Sequence, residues 1–311
     1  MKWQKHGLIF TPDRSGGWMN SHAQVPTPLV SDDCIRIYFS SRPEPKLSLT
    51  TFVDLDINNP TKILRLNPSP ILEPGEAGAF DEHGVMPSCA VRHEEKVYLY
   101  YSGWSRGSSV PYVNSTGLAI SEDEGQTFRK ISNGPILAKS IYDPFSATSP
   151  FVMKEEEIWH MWYCSGTAWL DVDGKYEPTY DIKYARSQDG IHWAPSTVPV
   201  IPQETQHEAI TRPYVVKCRD GYRMWFCYRG SYNFRDGQNA YRIGYAHSND
   251  LQQWHREDEA AGIDISDTGW DSKMIAYPAV VTVNGNTLMF YNGNGFGADG
   301  FGYATLVEDG C

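Results

Sequence analysis

The sequence predicts an all-β protein, a single five-bladed β-propeller, from three observations. Tyrosine, tryptophan, glycine and proline are abundant along the 311 residues, as in chains of many short strands joined by turns. One pattern of residues recurs five times along the chain. The last copy of this pattern is incomplete, and the N-terminus carries the part that it lacks.

Each copy begins with a proline, continues with a short apolar strand and a charged or glycine-containing turn, and ends with an aromatic strand, which is the pattern of a β-hairpin. The prolines that open the copies are Pro26, Pro87, Pro150, Pro213 and Pro278. The last four stand 63 to 65 residues apart, which is enough for four strands and their loops. This is the size of one propeller blade.

A third apolar strand follows each hairpin, and three copies continue into a Ser-x-Asp turn with an aromatic residue after it. This turn resembles the Asp-box turn of sialidases. Serine and aspartate side chains cap the backbone of such turns, while the aromatic residue packs between blades. We therefore predict a structural role, and no catalytic role, for Asp123, Asp189 and Asp250.

The fifth copy stops after its third strand, at the sequence FGYATL. Trp3, followed by the apolar residues 7–10, matches the usual end of a blade. We expect residues 2–10 to complete the last blade and to cover its open edge. The prediction is one domain, residues 1–311, with blades at 25–72, 84–138, 146–202, 209–265 and 274–306 together with 2–10.

The charge and hydropathy of the chain exclude several classes of partner. The formal net charge of −11 is spread along the sequence, which opposes nucleic-acid binding. The N-terminus is too polar for a signal peptide, and no apolar run approaches the roughly 20 residues of a membrane span. A cytoplasmic protein without nucleic-acid or membrane partners is predicted. No metal or cofactor is predicted, because the chain has no contiguous calcium loop.

Acidic residues recur just before the repeat prolines. In a propeller the first strand of each blade lies nearest the axis, so these residues should converge on one mouth of the central funnel. The candidate catalytic residues are Asp81, Asp143, Glu208 and Asp271. Glycoside cleavage needs one carboxyl group to protonate the leaving oxygen and another to attack or to activate water. The alternative is that these acids cap loops or bind neighbouring Arg and Lys side chains.

Basic, polar and aromatic residues near the same positions are candidates for substrate binding. Aromatic rings stack on the C–H faces of sugars, and cations hold phosphate or carboxylate groups. The predicted binding residues are His22, Gln24, Glu82, His83, Trp104, Arg212 and Lys273.

Through its repeats, nearly the whole chain resembles the five-bladed propeller glycosidase superfamily, which includes invertases, arabinanases and β-mannoside phosphorylases. Residues 18–20, Trp-Met-Asn, look like the start of the invertase WMNDPNG motif, and Asp143-Pro144 looks like the second half of its RDP motif. Glu208 is similar in blade position to the invertase acid. Ser21 and His22 stand where the invertase motif has its nucleophilic aspartate.

The resemblance also extends to uncharacterised propeller proteins of bacterial polysaccharide gene clusters. It implies a glycoside hydrolase acting on a bacterial surface glycan or its intermediate, with a carbohydrate as the partner. Glu208 is then the general acid, Asp81 or Asp271 the base or nucleophile, and Asp143 a residue that orients sugar hydroxyls or tunes a neighbouring pKa. Two alternatives remain: a phosphorylase or sugar transferase in the same funnel, and a non-catalytic glycan-binding propeller.

Overall fold

The computed structural model describes residues 1–14, 17–44 and 47–308. Residue 308 is described through its backbone only. Almost all regular structure in these ranges is β-strand. Helix is confined to a 3-10 turn at Asp258–Ala261 and a four-residue helix at Asn294–Gly297. The all-β prediction is confirmed. Within the described ranges, no helix is long and apolar enough to cross a membrane.

The strands form five groups of four. The first three groups are β2 (Ser21–Val30), β3 (Cys34–Arg42), β4 (Leu49–Asp56) and β5 (Ile63–Leu66); β6 (Gly84–His93), β7 (Lys96–Ser105), β8 (Val113–Ser121) and β9 (Arg129–Lys130); and β10 (Ala147–Glu155), β11 (Ile158–Val172), β12 (Lys175–Ser187) and β13 (Ala194–Pro195). The last two are β14 (Ala209–Cys218), β15 (Gly221–Arg229), β16 (Arg242–Ser248) and β17 (His255–Arg256); and β18 (Ala276–Val283), β19 (Asn286–Asn292), β20 (Phe301–Glu308) and β1 (Lys2–Phe10).

Within each group, neighbouring strands pair antiparallel. The N-terminal strand β1 pairs with β20, so that Trp3 lies opposite Leu306 and Leu8 lies opposite Gly302. The Trp3 ring is buried edge-on against Trp225, with 5.6 Å between ring centroids. The first and last segments of the chain are therefore held together in one sheet.

The first strands of the groups contact one another in order. β2 contacts β6, β6 contacts β10, β10 contacts β14, β14 contacts β18, and β18 contacts β2. In four of these strands the residue before the repeat proline has a positive φ, between 50° and 59°: Val25, Ser149, Arg212 and Tyr277. Each of these positions is a break in the strand register, which frees a backbone N–H from its ladder.

Three of the freed N–H groups are bound by the preceding group. Ser149 donates its N–H to the Ser102 hydroxyl at 3.0 Å, and Tyr277 donates to the Cys227 sulfur at 3.5 Å. In the same way, the Asn292 side chain of the fifth group accepts the backbone N–H of Val25 in the first group. Ser102, Cys227 and Asn292 each directly follow the aromatic residue at one repeat position of the second strand, which is Tyr101, Phe226 and Tyr291, so one repeat position links successive groups.

The Ser-x-Asp turns have the structural role that the sequence predicts. Asp189 Oδ1 accepts the backbone N–H groups of Ile191 and His192 at 2.9 and 2.8 Å, and Ser187 binds the N–H of Gly190. Asp123 and Asp250 accept turn N–H groups in the same way.

Candidate functional site

The first of the predicted acids, Asp81, lies buried in an ion pair. Its carboxylate is 1% exposed and accepts a hydrogen bond from the Tyr101 hydroxyl at 3.0 Å. The Lys130 ammonium lies 2.6 Å from the same oxygen, Oδ2. Asp81 therefore joins the loop before β6 to β7 and β9 of its own group.

The third and fifth groups repeat this arrangement. Asp143 accepts from the Tyr163 hydroxyl at 3.1 Å and lies 3.4 Å from the Lys183 ammonium. Asp271 accepts from the Tyr291 hydroxyl at 3.0 Å and pairs with Lys5 at 2.8 Å. In all three groups the tyrosine stands 20 residues after the aspartate.

The fourth group has a different set of residues in the same place. Phe226 stands at the tyrosine position, and the acid is Glu208. Both oxygens of Glu208 accept from the Arg256 guanidinium, at 2.7 and 3.1 Å. Arg256 also pairs with Asp258 at 2.6 Å and lies 5.3 Å from the centre of the Phe226 ring. Phe226 has no hydroxyl to donate to the acid. In this group an arginine that donates to both carboxylate oxygens stands in place of the lysine.

The cations of these pairs follow a rule of position. Three stand on the outer strand, two residues after an aromatic residue: Lys130 after Phe128, Arg256 after Trp254, and Lys5 after Trp3. In the third group Pro195 occupies that place, and Lys183 of β12 supplies the charge. The alternative in which the acids bind neighbouring basic residues accounts for all four contacts. Their catalytic roles stay predictions.

Three of the predicted binding residues meet beside the first and second groups. His83 Nδ1 lies 3.2 Å from Glu82 Oε1, and the His83 and Trp104 rings are tilted against each other at 5.7 Å. Trp104 donates its indole N–H to the Ser48 hydroxyl at 2.8 Å. Another predicted residue, Lys273, has an exposed side chain.

Two further predicted residues, His22 and Gln24, lie beside Arg42 and Tyr277. Arg42 donates to Gln24 Oε1 at 2.8 Å. Burial, together with the charge of Arg42, lowers the pKa of His22 to about 4, so the imidazole is neutral at physiological pH. Burial also raises the pKa of Tyr277, against the opposing effect of Gln24 and Arg42.

Tyrosines from four groups form a cluster next to these residues, here called the tyrosine cluster: Tyr112, Tyr180, Tyr241 and Tyr277. The hydroxyl oxygens of Tyr112 and Tyr180 are 3.2 Å apart, and the rings of Tyr241 and Tyr277 are 5.7 Å apart. Burial raises the pKa of all four phenols, so they remain protonated at neutral pH. The Arg229 guanidinium lies 5.7 Å from the centre of the Tyr241 ring.

Arg212, a predicted binding residue, is almost fully buried at 1% exposure. It donates to the carbonyl of Ser88 at 2.5 Å, to the carbonyl of Pro26 at 3.2 Å and to the Thr27 hydroxyl at 2.8 Å. In the part of the chain that the structure describes, its Nε has no hydrogen-bond partner. Burial lowers the pKa of Arg212 to about 10, which still leaves it charged at neutral pH. One side chain of the fourth group thus binds the first strands of the first two.

Asp181 is a carboxyl group that the sequence analysis did not select. It lies on β12 and is 8% exposed, and one of its oxygens, Oδ1, has no hydrogen-bond partner among the described residues. Burial raises its pKa to about 7; Lys183 opposes this rise and the charge of Asp143 adds to it. Asp143 and Asp181 are therefore two neighbouring carboxyl groups in different environments, the pattern that separates an acid from a base.

The sequence contained a signal for two of the missed residues. Arg42 and Arg229 stand three residues after the aromatic residues Phe39 and Phe226, the position that Trp104 has relative to Tyr101 in the second group. Aligning the hairpins on that aromatic residue would have placed all three together. The tyrosines carry no comparable signal, because Tyr112 and Tyr241 lie in loops of unequal length. Among the described residues, no group of three or more His, Cys, Asp and Glu side chains is arranged to hold a metal ion.

No family model matches the chain. The chain is 40% identical over 308 residues to the uncharacterized protein Rv1502 of Mycobacterium tuberculosis. The aligned residues cover 98% of this chain and 99% of that protein. Both proteins are thus compared over essentially their whole lengths.

Solved structures share the fold at low identity. One described as a glycoside hydrolase is 17% identical, with a TM-score of 0.76 over 99% of this chain and 92% of that one. Another solved structure is described in terms of the GH130 family of mannoside phosphorylases. That family is said to contain glycoside hydrolases that target β-1,2 mannosidic linkages in Candida mannan. This second structure is 14% identical, with a TM-score of 0.73 over 98% of this chain and 94% of that one. These neighbours are described as glycoside hydrolases and share the fold of this chain, which confirms the predicted resemblance at the level of the fold.

Proposed function

We propose that this chain, which belongs to the same family as the uncharacterized protein Rv1502 of Mycobacterium tuberculosis, is a glycan-active enzyme. Its fold would be a single five-bladed β-propeller, and its substrate would bind at the tyrosine cluster. The observation that carries the proposal is the meeting of tyrosine and arginine side chains from all five strand groups on a fold shared with glycoside hydrolases.

The five-bladed arrangement is supported by the contacts of the first strands, which run in order from β2 to β18 and back to β2. In a closed ring, β1 would be the outer strand of the last blade. The ion pair between Lys5 and Asp271 supports this, because it matches the pair between Lys130 and Asp81 in the second group. A ring closed in this way has no long exposed edge strand.

Side chains contributed by every blade of a ring can meet only near its axis. Gln24 and Arg42 come from the first group, and the tyrosine cluster from the other four. Tyrosine offers an apolar face and a hydroxyl, and arginine offers a planar array of donors. Both suit a sugar, whose rings have apolar faces and whose edges are lined by hydroxyl groups.

For the proton transfer we propose Asp181 as the donor, with Asp143 as its partner carboxylate. A carboxyl group with a pKa near 7 is partly protonated at neutral pH and matches the requirement of a general acid. Glu208, in contrast, accepts from Arg256 with both oxygens, so its carboxyl group is held in that ion pair. Asp81 and Asp271 are each paired with one lysine, through a single carboxylate oxygen.

A turnover screen tests this assignment. The chain would be assayed on a panel of bacterial surface glycans and aryl glycosides, with and without inorganic phosphate and with activated sugar donors. We expect Asp181→Asn to lower kcat by roughly 100-fold or more, since general acid catalysis contributes about that much. Glu122→Gln, at an exposed pair with Lys96, is the matched control and should keep full turnover.

Other outcomes would reassign the roles. Full turnover in Asp181→Asn, with loss in Glu208→Gln and Asp81→Asn at an unchanged melting temperature, would restore Glu208 as the acid. Turnover that requires inorganic phosphate or an activated donor would indicate a phosphorylase or a transferase.

A non-catalytic glycan-binding propeller is the second candidate. It is favoured by one observation: all four acids at the repeat positions are ion-paired and buried. Calorimetric binding of a glycan that no variant or condition turns over would support it. Turnover lost in Asp181→Asn would exclude it.

A further inference from the structure

Three arginines differ from the others in their partners. Most arginines among the described residues either lie within 4.0 Å of a carboxylate or, like Arg186, are exposed. The exceptions are Arg42, Arg212 and Arg229. Arg212 and Arg229 are buried, at 1% and 5% exposure, and Arg42 is half-buried. Three positive charges are thus partly or fully withdrawn from water with no carboxylate within 4.0 Å among the described residues.

The hydrogen bonds of these arginines go to neutral groups. Arg229 donates to the carbonyls of Gly230 at 2.8 Å and Pro178 at 3.1 Å, and lies 3.7 Å from the centre of the Phe234 ring. Arg42 binds Gln24 through one nitrogen, Nη2, which leaves its Nε and Nη1 without an acceptor among the described residues. Neutral acceptors offset part of the cost of desolvating a guanidinium but supply no counter-charge.

All three arginines lie next to the tyrosine cluster. Tyr277 lies close enough to Arg42 and Arg212 to interact with both electrostatically. Arg229 interacts in the same way with Tyr112, Tyr180 and Tyr241. Tyr277 and Tyr241 are in turn in ring contact. The uncompensated charge is therefore concentrated at the place where we propose that the substrate binds.

We propose that the substrate bound at the tyrosine cluster carries a phosphate group on its sugar, which Arg42 contacts directly while Arg212 and Arg229 supply the surrounding positive potential. This inference rests on the proposed function and names its substrate class. The charge selects phosphate, because three guanidinium groups exceed what one sugar carboxylate neutralises, while a phosphate monoester or a diphosphate carries about two negative charges. Nε and Nη1 of Arg42, which have no acceptor among the described residues, are the donors for bidentate contact.

Calorimetry with the full chain tests the proposal. The probes are glucose 1-phosphate, mannose 1-phosphate and their nucleoside-diphosphate forms, each against the neutral sugar, with inorganic phosphate alone as a separate arm. We expect at least one phosphorylated sugar to bind about 10-fold or more tightly than its neutral counterpart, and this advantage to shrink as salt rises. Arg42→Gln and Arg229→Gln should each weaken that binding by about 10-fold, whereas Arg186→Gln, at an exposed arginine, should not.

The outcomes separate the two proposals. Equal binding of phosphorylated and neutral sugars, or full affinity in Arg42→Gln, would overturn this inference and leave the glycan-active enzyme standing. Another outcome is that inorganic phosphate binds, that Arg42→Gln weakens this binding, and that no sugar binds. It would overturn both the proposal of a phosphorylated sugar and the proposed function. If Arg229→Gln does not fold, Arg229→Lys keeps the charge, and it should lose less affinity than Arg42→Gln does.

Discussion

The side chain of Asn292 accepts the backbone N–H of Val25 at 2.8 Å, although 267 residues separate them. Its amide nitrogen donates to the carbonyls of Ala23 and Gly300 at 2.8 and 2.7 Å. One buried side chain of the fifth group therefore holds the first strand of the first group. The same repeat position links the second group to the third through Ser102.

Asn292→Leu should destabilise the whole protein. The substitution leaves a buried N–H and two buried carbonyls without partners, which we expect to lower the free energy of unfolding by about 2–4 kcal/mol. Urea denaturation measures this loss. Asn133→Ala, at an exposed asparagine, is the control and should stay within about 0.5 kcal/mol of wild type. An unchanged midpoint in Asn292→Leu would mean that this link does not contribute to closure.

Lys130→Met should destabilise the second group by leaving the Asp81 carboxylate buried without its cation. Removal of one partner from a buried ion pair costs about 3–5 kcal/mol, and Lys130 is partly exposed, so we expect the lower end of this range. Glu122→Gln breaks an exposed pair and should cost under about 1 kcal/mol. Equal losses in the two variants would show that Asp81 is not held by Lys130.

Asp181 should make stability fall as pH rises. Its pKa is about 7 in the folded state and about 3.9 in the unfolded chain, so between these values the folded state binds more protons. The contribution of Asp181 to stability is therefore greatest below about pH 4 and is lost as pH approaches 7. Asp181→Asn should be more stable relative to wild type at pH 8 than at pH 4, by up to about 4 kcal/mol. Parallel stability curves for both proteins across this range would contradict the raised pKa.

His22 should report on an anion bound at Arg42. In the free protein its pKa is about 4, so the imidazole resonances should be constant above about pH 5 in an NMR titration. A bound phosphate group would offset the charge of Arg42 and raise the pKa of His22. The titration of His22 should then move to higher pH with a phosphorylated sugar and not with its neutral counterpart. A free-protein titration near pH 6.5 would mean that His22 is not buried beside Arg42.

Much of the fold was predictable because the repeat is local. The order of apolar, turn and aromatic residues predicts each hairpin, and the Ser-x-Asp pattern predicts the turns that Asp123 and Asp189 cap. The N-terminal pattern around Trp3 also predicted a strand that pairs at the far end of the chain, and β1 does pair with β20.

By itself the sequence determined the strands, the turns and the positions at which acids recur, since each depends on residues near one another in the chain. Only the tertiary structure decided where those acids point and which charges remain unpaired. Asp271 meets Lys5 across 266 residues, and the tyrosine cluster joins four groups, so neither is visible in any local pattern. A repeat specifies the place of a residue along its strand, but its partner depends on how separate strands pack. For that reason the sequence selected the ion-paired acids and missed Arg42, Arg229 and Asp181.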